Sequence, residues 1–263
     1  MAAGTRIIPV MPPAPCPIRP ARVGTSGWSY AHWARGRFYP KGLPPGRWLP
    51  FLAQHFNTVE LNASFYRPPR QAYIQRWCQL TPSRFRFAVK LWRRITHEKR
   101  LADCANELRS FLDLFKPLAR KRAPLLVQLP PSLRPDLDRL EPFLTELKRA
   151  LGRSRWRVAV EFRNDAWRCD RVYRLLDDFG VALCLADMPR CPFTEPNDAA
   201  FVYIRRHGPA GGYRASYSDN QLAADADRIR NWLRAGRDVY IYFNNDIDGY
   251  AVDNATRLRE LLV

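Results

Sequence analysis

Short apolar runs recur along this chain, and most of them end in a polar or charged side chain. The runs are Val23–Thr25, Thr58–Val59, Phe85–Val89, Leu125–Val127, Val158–Val160, Val181–Ala186, Phe201–Ile204 and Val239–Phe243. Runs of this kind predict buried strands, and most of the intervals between them are long enough to hold a helix. Eight strands that alternate with helices predict an α/β protein, namely a (β/α)₈ TIM barrel.

Helical periodicity, prolines at helix starts and glycines at helix ends predict the connecting helices. These are residues 47–55, 69–78, 103–115, 138–151, 170–179, 219–233 and 250–262. Residues 188–199 contain three prolines and no helical periodicity, so the crossover between strands six and seven is predicted to be irregular. Residues 1–21 are rich in proline and predict a flexible tail ahead of one barrel domain, 22–263.

Length and charge bear on the number of domains and on the class of partner. The 263 residues suit one barrel, which typically needs about 250. A formal net charge of +18 favours an anionic partner, either an anionic small molecule or a nucleic acid. A coding bias that fills exposed helix faces with arginine explains the same number, and both explanations stay open.

The cysteines and the apolar stretches predict a location. The six cysteines form no C-x-x-C pair, and no apolar stretch reaches the length that spans a membrane. The sequence therefore predicts a cytoplasmic protein with reduced thiols and no membrane partner.

Charged side chains at the ends of the runs form the candidate catalytic set, because the C-terminal strand ends of a barrel build its active site. The set comprises Glu60, Lys90, Glu161, Arg163 and Asp187. Glu60 and Glu161 are predicted to act as acid and base, or to ligate a single divalent ion together with Asp187. Lys90 and Arg163 are predicted to stabilise negative charge in a phosphoryl transition state. The alternative is a purely structural ion-pair network, such as Glu161 with Lys90 or Arg163.

A second set of residues is predicted to bind the substrate. Residues after strands seven and eight resemble the phosphate sites of barrels, which use loop amides and a helix N-terminus. Alternatively, the glycines after strand seven only form a turn, and Arg205 pairs with Asp187. Aromatic side chains interleaved with arginines near the same rim predict a stacking surface for bases or sugars. The rim residues are Trp28, Tyr30, Trp33, Phe38, Tyr39, Phe65, Tyr66, Arg67, Trp92, Arg93, Arg94 and Trp167. The substrate-binding candidates are Ser26, Trp28, Tyr30, Asn62, Tyr66, His97, Gln128, Arg205, His207, Asn244 and Asn245.

No Walker A or G-x-G-x-x-G motif is present in the sequence, so no nucleotide cofactor is indicated. The residues predict either no cofactor or a single divalent metal ion.

Many ordered motifs give the chain a family resemblance. They are Val23–Trp28, Phe38–Pro40, Val59–Asn62 with Phe65–Tyr66, Thr96–His97, Gln128–Pro131, Glu161–Arg163, Ala186–Asp187, Tyr203–Arg205 with His207–Gly208, and Tyr242–Asp246 with Ala251 and Asn254. Through them the chain resembles the domain-of-unknown-function 72 family (YecE-like proteins) over nearly its whole length.

The resemblance implies a TIM barrel and no established activity, since the family is named for lacking one. Its members have been compared with endonuclease IV-type barrels, which implies a nucleic acid by analogy. Those enzymes use a histidine-rich site for three zinc ions. This sequence departs from that comparison, because only His97 and His207 are expected near the mouth, so the residues predict one metal ion or none.

Three hypotheses about function follow. The first is a hydrolase that acts on an anionic, phosphate-bearing substrate, with nucleic acid among the candidates. The second is a carbohydrate-active barrel that uses Glu60 and Glu161 on either side of a glycosidic bond. The third is a nucleic-acid-binding protein without catalysis, based on the net charge and the aromatic rim.

Overall fold

The computed structural model describes residues 20–154, 156–188 and 193–263, and eight strands close into a parallel barrel. Each strand pairs with the next one along the chain, and the first pairs with the last. The strands are β1 (Arg22–Ser26), β2 (Thr58–Leu61), β3 (Arg86–Lys90), β4 (Arg122–Gln128), β5 (Val158–Glu161), β6 (Ala182–Ala186), β7 (Phe201–Arg206) and β8 (Asp238–Phe243). The predicted (β/α)₈ fold is confirmed.

The helices surround this barrel. They are α1 (Trp48–His55), α2 (Ala63–Tyr66), α3 (Gln71–Gln79), α4 (Ala105–Leu114), α5 (Leu137–Leu151), α6 (Asp170–Asp178), α7 (Asp219–Arg234) and α8 (Tyr250–Leu261). All the predicted helices are present, each within two residues of its expected ends, and the single turn of α2 is an addition. Residues 187–188 and 193–200 form no helix, so the irregular crossover is confirmed where it is described. The predicted tail falls almost wholly on residues 1–19, outside the described residues.

In these described ranges, no helix combines the length and the apolarity needed to cross a membrane.

Side chains along each strand alternate between the barrel interior and the surrounding helices. Val59, Val160 and Ile204 belong to the large apolar cluster between strands and helices. The interior has its own small cluster, in which several alanines leave room for Tyr203 and Tyr242. In the parallel barrel, both faces of a strand are therefore buried, and alternation decides which polar residue enters the interior.

The pairing of β1 with β2 depends on a close backbone approach at Gly24. A Cβ at this position would lie 2.2 Å from the carbonyl oxygen of Thr58 on β2. Gly46, in the turn before α1, offers a matched control because a Cβ there meets nothing within 4 Å.

We expect Gly24→Ala to lower the free energy of unfolding by about 1–3 kcal/mol, because the strands must move apart. Gly46→Ala should be neutral within about 0.5 kcal/mol. Urea unfolding of both variants checks this, and wild-type stability in Gly24→Ala would contradict the close approach.

Candidate functional site

Arg205 is buried inside the barrel and joins two buried glutamates from opposite sides. Its Nε donates to Oε2 of Glu60 at 3.0 Å, and its Nη2 donates to Oε1 at 2.8 Å. Its Nη1 donates to Oε2 of Glu161 at 2.7 Å. Since the three side chains are at most 1% exposed, they form a desolvated network rather than a surface ion pair.

Neighbouring hydroxyls complete the hydrogen bonding of Glu60. Ser26 Oγ donates to its Oε1 at 2.5 Å, and the Tyr203 hydroxyl donates to its Oε2 at 2.7 Å. Tyr30 lies behind Ser26 and donates to the Ser26 carbonyl oxygen at 2.5 Å. Buried polar atoms are costly unless satisfied, so these hydroxyls stabilise the ionised Glu60.

Glu161 has a second cationic partner, Arg163, whose Nε forms an ion pair with its Oε1. His207 lies beside this pair, with its Nε2 3.7 Å from Glu161 Oε1 and 3.3 Å from Arg163 Nη2. Asn244 reaches the other ring nitrogen of His207 at 3.2 Å. The predicted alternative pairing of Glu161 with Arg163 is therefore present.

These contacts keep both glutamates ionised. Burial alone would raise the pKa of Glu60, but the charge and hydrogen bonds of Arg205 lower that pKa below its usual value. Burial also opposes ionisation of Glu161, and Arg163 with Arg205 lowers its pKa well below the usual value. A carboxylate in this state has no proton to donate at neutral pH. The geometry thus does not favour the predicted acid role for either glutamate.

Lys90, at the end of β3, differs from the other charged groups of the network. Its Nζ lies 3.8 Å from the ring centroid of Phe65 and makes no hydrogen bond or ion pair with the residues described. Burial lowers the pKa of Lys90 to about 7, and the nearby Arg205 contributes in the same direction. Near neutral pH, an appreciable fraction of this amine is therefore unprotonated.

The two histidines near the mouth are neutral at pH 7. Burial lowers the pKa of His207 to about 4, despite the nearby carboxylate of Glu161. Burial also lowers the pKa of His97 to about 4, and the charge of Lys90 adds to the effect. His97 packs edge-on against Phe65, with ring centroids 4.9 Å apart. Lys90 is consequently the group in this cluster that titrates near neutrality.

Asp187 lies on the helix side of the barrel wall, so its predicted place in the mouth is wrong. Its carboxylate accepts from the backbone N–H of His207 at 2.6 Å, from the Tyr217 hydroxyl and from Arg206 at 3.3 Å. Arg206 continues outward to Asp225 on α7. The predicted alternative pair of Asp187 with Arg205 is therefore replaced by Asp187 with Arg206.

The three carboxylates proposed as metal ligands do not come together. Glu60 and Glu161 direct their oxygens at Arg205, and Asp187 lies outside the wall. Across residues 20–154, 156–188 and 193–263, no group of three or more His, Cys, Asp or Glu residues is arranged to hold a metal ion. A donor set filled by guanidinium groups does not fit a divalent cation, so the predicted ligand set is corrected.

The loops after β7 and β8 use their polar groups internally. The amide of Gly208 donates to the Tyr217 hydroxyl at 2.7 Å, and the amide of Tyr213 donates to the His207 carbonyl. Asn245 faces α8, where its Nδ2 donates to Asn254 Oδ1 at 2.8 Å. Of the predicted anion-binding residues, Arg205 serves the two glutamates and Asn245 lies outside the mouth. The expected phosphate site is not formed by these groups in this arrangement.

The remaining substrate-binding candidates lie at or near the mouth with different degrees of exposure. Tyr66 is 66% exposed, whereas Gln128 is buried and donates to the Leu129 carbonyl at 2.9 Å. Trp28 packs edge-on against Trp77 of α3. The side chain of Asn62, at the start of α2, has a buried Oδ1 without a hydrogen-bond partner.

The predicted aromatic rim is divided between buried and more exposed side chains. Trp33, Tyr39 and Trp167 are at most 1% exposed, and Phe65 is 6% exposed. Trp33 also donates its indole N–H to Asp246 at 2.7 Å, which fastens the loop after β1 to the loop after β8. These four rings pack beneath the loops, whereas Tyr66 of the same predicted rim is exposed.

Sequence reasoning missed Tyr203, which bonds Glu60, and Tyr213, whose hydroxyl accepts from Arg163 Nη1 at 3.1 Å. Tyr203 stands two residues before Arg205 in β7, so strand alternation was the available signal. Tyr213 lies in the loop after β7, where the sequence predicts an anion site, but its contact with Arg163 was not predicted.

The fold and this network together define a TIM barrel with a buried Glu–Arg–Glu cluster at its C-terminal end. The chain belongs to the family described as protein of unknown function DUF72, whose model matches residues 22–263. It is 26% identical over 271 residues to the UPF0759 protein YunF of Bacillus subtilis strain 168, covering 91% of this chain and 94% of that protein. It is 32% identical over 126 residues to the UPF0759 protein YecE of Escherichia coli K12, covering 48% of this chain and 43% of that protein.

Among solved structures, a DUF72 family protein from Thermotoga maritima MSB8 is similar, with a TM-score of 0.82 and 27% identity. The match covers 93% of this chain and 99% of that one. The family and its fold are thus confirmed.

We expect Arg205→Met to destabilise the protein by about 3–5 kcal/mol, because two glutamates are left buried without their cation. Arg149→Met is the matched control, since Arg149 is 79% exposed and pairs with Glu146 on the same helix. Removing that surface pair should change stability by less than about 0.5 kcal/mol. Denaturant unfolding at pH 7 distinguishes the two, and equal stabilities would contradict the network's importance.

Proposed function

We propose that this protein is an enzyme that acts on an anionic substrate at the C-terminal mouth of the barrel, with Lys90 as the group that exchanges protons with it. Phosphate is the anionic group that the sequence predicts. The observation that carries the proposal is the buried amine of Lys90, which lacks a carboxylate partner while two glutamates beside it are bound to arginines.

The contact with the Phe65 ring is the one partner of the Lys90 amine among the described side chains, and it supplies no negative charge. A buried lysine is costly unless an anion compensates it, and Glu60 and Glu161 are already engaged by Arg205 and Arg163. Perturbed titrating groups of this kind concentrate at functional sites. A pKa of about 7 also matches the operating pH of a proton-transferring group.

The charges around Lys90 favour an anion. Arg163 and Arg205 supply two positive charges, Glu60 and Glu161 two negative ones, and a protonated Lys90 leaves the cluster with one positive charge in excess. A bound anionic group would neutralise that excess. It would also replace the missing partner of Lys90.

The hydrolytic mechanism inferred from the sequence depended on Glu60 and Glu161 as base and acid. Because arginines keep both glutamates ionised, neither is suited to act as the acid in that mechanism. The glycosidase alternative is disfavoured for the same reason, since it requires one protonated carboxyl group. Lys90 takes over the proton-transfer role in the proposal.

We expect the pKa of Lys90 to be about 7 in the free protein and to rise when inorganic phosphate binds, since a nearby anion stabilises the ammonium form. The measurement is ¹³C NMR of reductively methylated protein, titrated with and without phosphate at constant ionic strength. The signal is assigned by its absence from Lys90→Arg. A chloride titration at the same ionic strength should leave the pKa unchanged, and an unchanged pKa in phosphate would refute the anion site.

Nucleic-acid binding is a second candidate, favoured by a basic depression on the same end of the barrel. Its volume is about 650 Å³, and its lining includes Arg100, Arg134, Arg139 and Arg171. Arg139 is paired with Asp136 at 3.1 Å, whereas Arg134 is exposed in the loop after β4 and Arg171 at the start of α6. Phosphate groups along a strand are the partners that such arginines bind.

If nucleic acid binds here, Arg134→Glu/Arg171→Glu should weaken binding of a single-stranded oligonucleotide and reduce the salt slope of log K by about 1–2. Arg153→Glu/Arg234→Glu is the matched control, because it makes the same charge change at the opposite end of the barrel. Fluorescence anisotropy across salt concentrations measures both. Equal losses in the two variants would show that net charge alone drives binding.

A further inference from the structure

Lys90 offers a nucleophile as well as a proton-transferring group. Its nitrogen lies against the face of Phe65, and no described carboxylate engages it. A primary amine in this state adds to carbonyl carbons, and burial in an apolar pocket is one of the ways in which proteins activate a lysine for that chemistry. An arginine or a fully paired lysine at this position would have no such reactivity.

The geometry points to an anionic carbonyl compound as the substrate class, with Lys90 Nζ forming an imine with its carbonyl carbon. This inference rests on the proposed function, because it names the substrate of the same site. It differs in the chemistry that it assigns to Lys90.

The step balances without any further reactant. The unprotonated Nζ attacks the carbonyl carbon, the carbonyl π electrons move to oxygen, and a proton passes from nitrogen to oxygen to give a carbinolamine. The C–O bond then breaks, and the hydroxyl leaves as water after taking up a proton. Carbonyl compound and ammonium form thus give iminium ion and water, so neither oxidant nor reductant is needed.

The fixed charges of the network suit the iminium product. Glu60 and Glu161 remain ionised inside the barrel, and together they offset Arg163 and Arg205. An iminium ion on Lys90 adds one positive charge, which a carboxylate or phosphate on the same substrate molecule would cancel. A neutral carbonyl compound would leave that charge without a partner in a desolvated site.

The turn that carries Phe65 offers one unsatisfied polar atom that can orient such a substrate. Asn62 has a buried Oδ1 that no described group satisfies, and it directly precedes the α2 turn that carries Phe65. The Ser64 hydroxyl of the same turn lies 2.6 Å from the carbonyl oxygen of Leu61 and 2.8 Å from that of Lys90, and it donates its hydrogen between them. These bonds fix the turn to the end of β3 and hold Phe65 against the amine.

The test is reductive trapping at pH 7 with cyanoborohydride. Wild-type protein is incubated with pyruvate or with its neutral counterpart acetone, and separately with dihydroxyacetone phosphate or with dihydroxyacetone. Mass spectrometry of a digest by a protease that does not depend on lysine then locates the adducts. The exposed Lys116 serves as an internal reference, because its side chain is 70% exposed.

We expect labelling of Lys90 to exceed that of Lys116 by at least about tenfold, given the larger unprotonated fraction of the amine. The anionic probes should label Lys90 more than their neutral counterparts, and the stronger of the two anionic probes identifies carboxylate or phosphate as the preferred group. Unfolding the protein in urea before trapping should remove the preference. Lys90→Arg should lose the adduct while keeping the adduct at Lys116.

Failure of this inference is separable from failure of the proposed function. If phosphate raises the pKa of Lys90 but no carbonyl probe labels it, the anion site stands and imine formation is refuted. If neutral probes label Lys90 as well as anionic ones, the assigned substrate class is wrong. If neither phosphate nor any probe affects Lys90, both proposals fall.

Discussion

The pairing of Arg205 with Glu60 and Glu161 is the interaction on which the interior of this barrel depends. Three ionised groups lie in a space from which water is excluded, and each is stable only because the others are present. The surrounding alanines and tyrosines provide the room and the remaining hydrogen bonds. With the carboxylates and guanidinium groups matched to one another, Lys90 is left as the buried amine of the cluster without a carboxylate partner.

This constraint changes how the chemistry of the site is understood. Charged residues at strand ends suggested carboxylate catalysis, because acid–base pairs and metal ligands are commonly carboxylates. In the folded chain the carboxylates hold the framework in its ionised state instead. The chemically adjustable group is an amine beside them, and its properties follow from burial and from Arg205.

Much of the fold and part of the candidate site could be predicted from the sequence, because apolar runs and helix ends are local signals. The fold, the helix bounds within two residues and the positions of Glu60, Lys90, Glu161 and Arg205 at strand ends all follow from such signals. The sequence did not reveal that the side chains of Asp187, Asn245 and Arg206 point away from the barrel interior. Both faces of a barrel strand are apolar, so the pattern does not tell which face is inside. The pKa of Lys90 could not be predicted either. It depends on residues from distant strands, and those residues pair with one another.

The pairing of β1 with β8 has a consequence for how the chain folds. The first strand finds its last neighbour only after some two hundred intervening residues, and the contact between Trp33 and Asp246 joins the same distant segments. Contacts so far apart in sequence slow folding, because a long loop must close before they form. During synthesis on the ribosome, the barrel therefore stays open, with the edges of β1 and β7 unpaired, until the final strand has emerged.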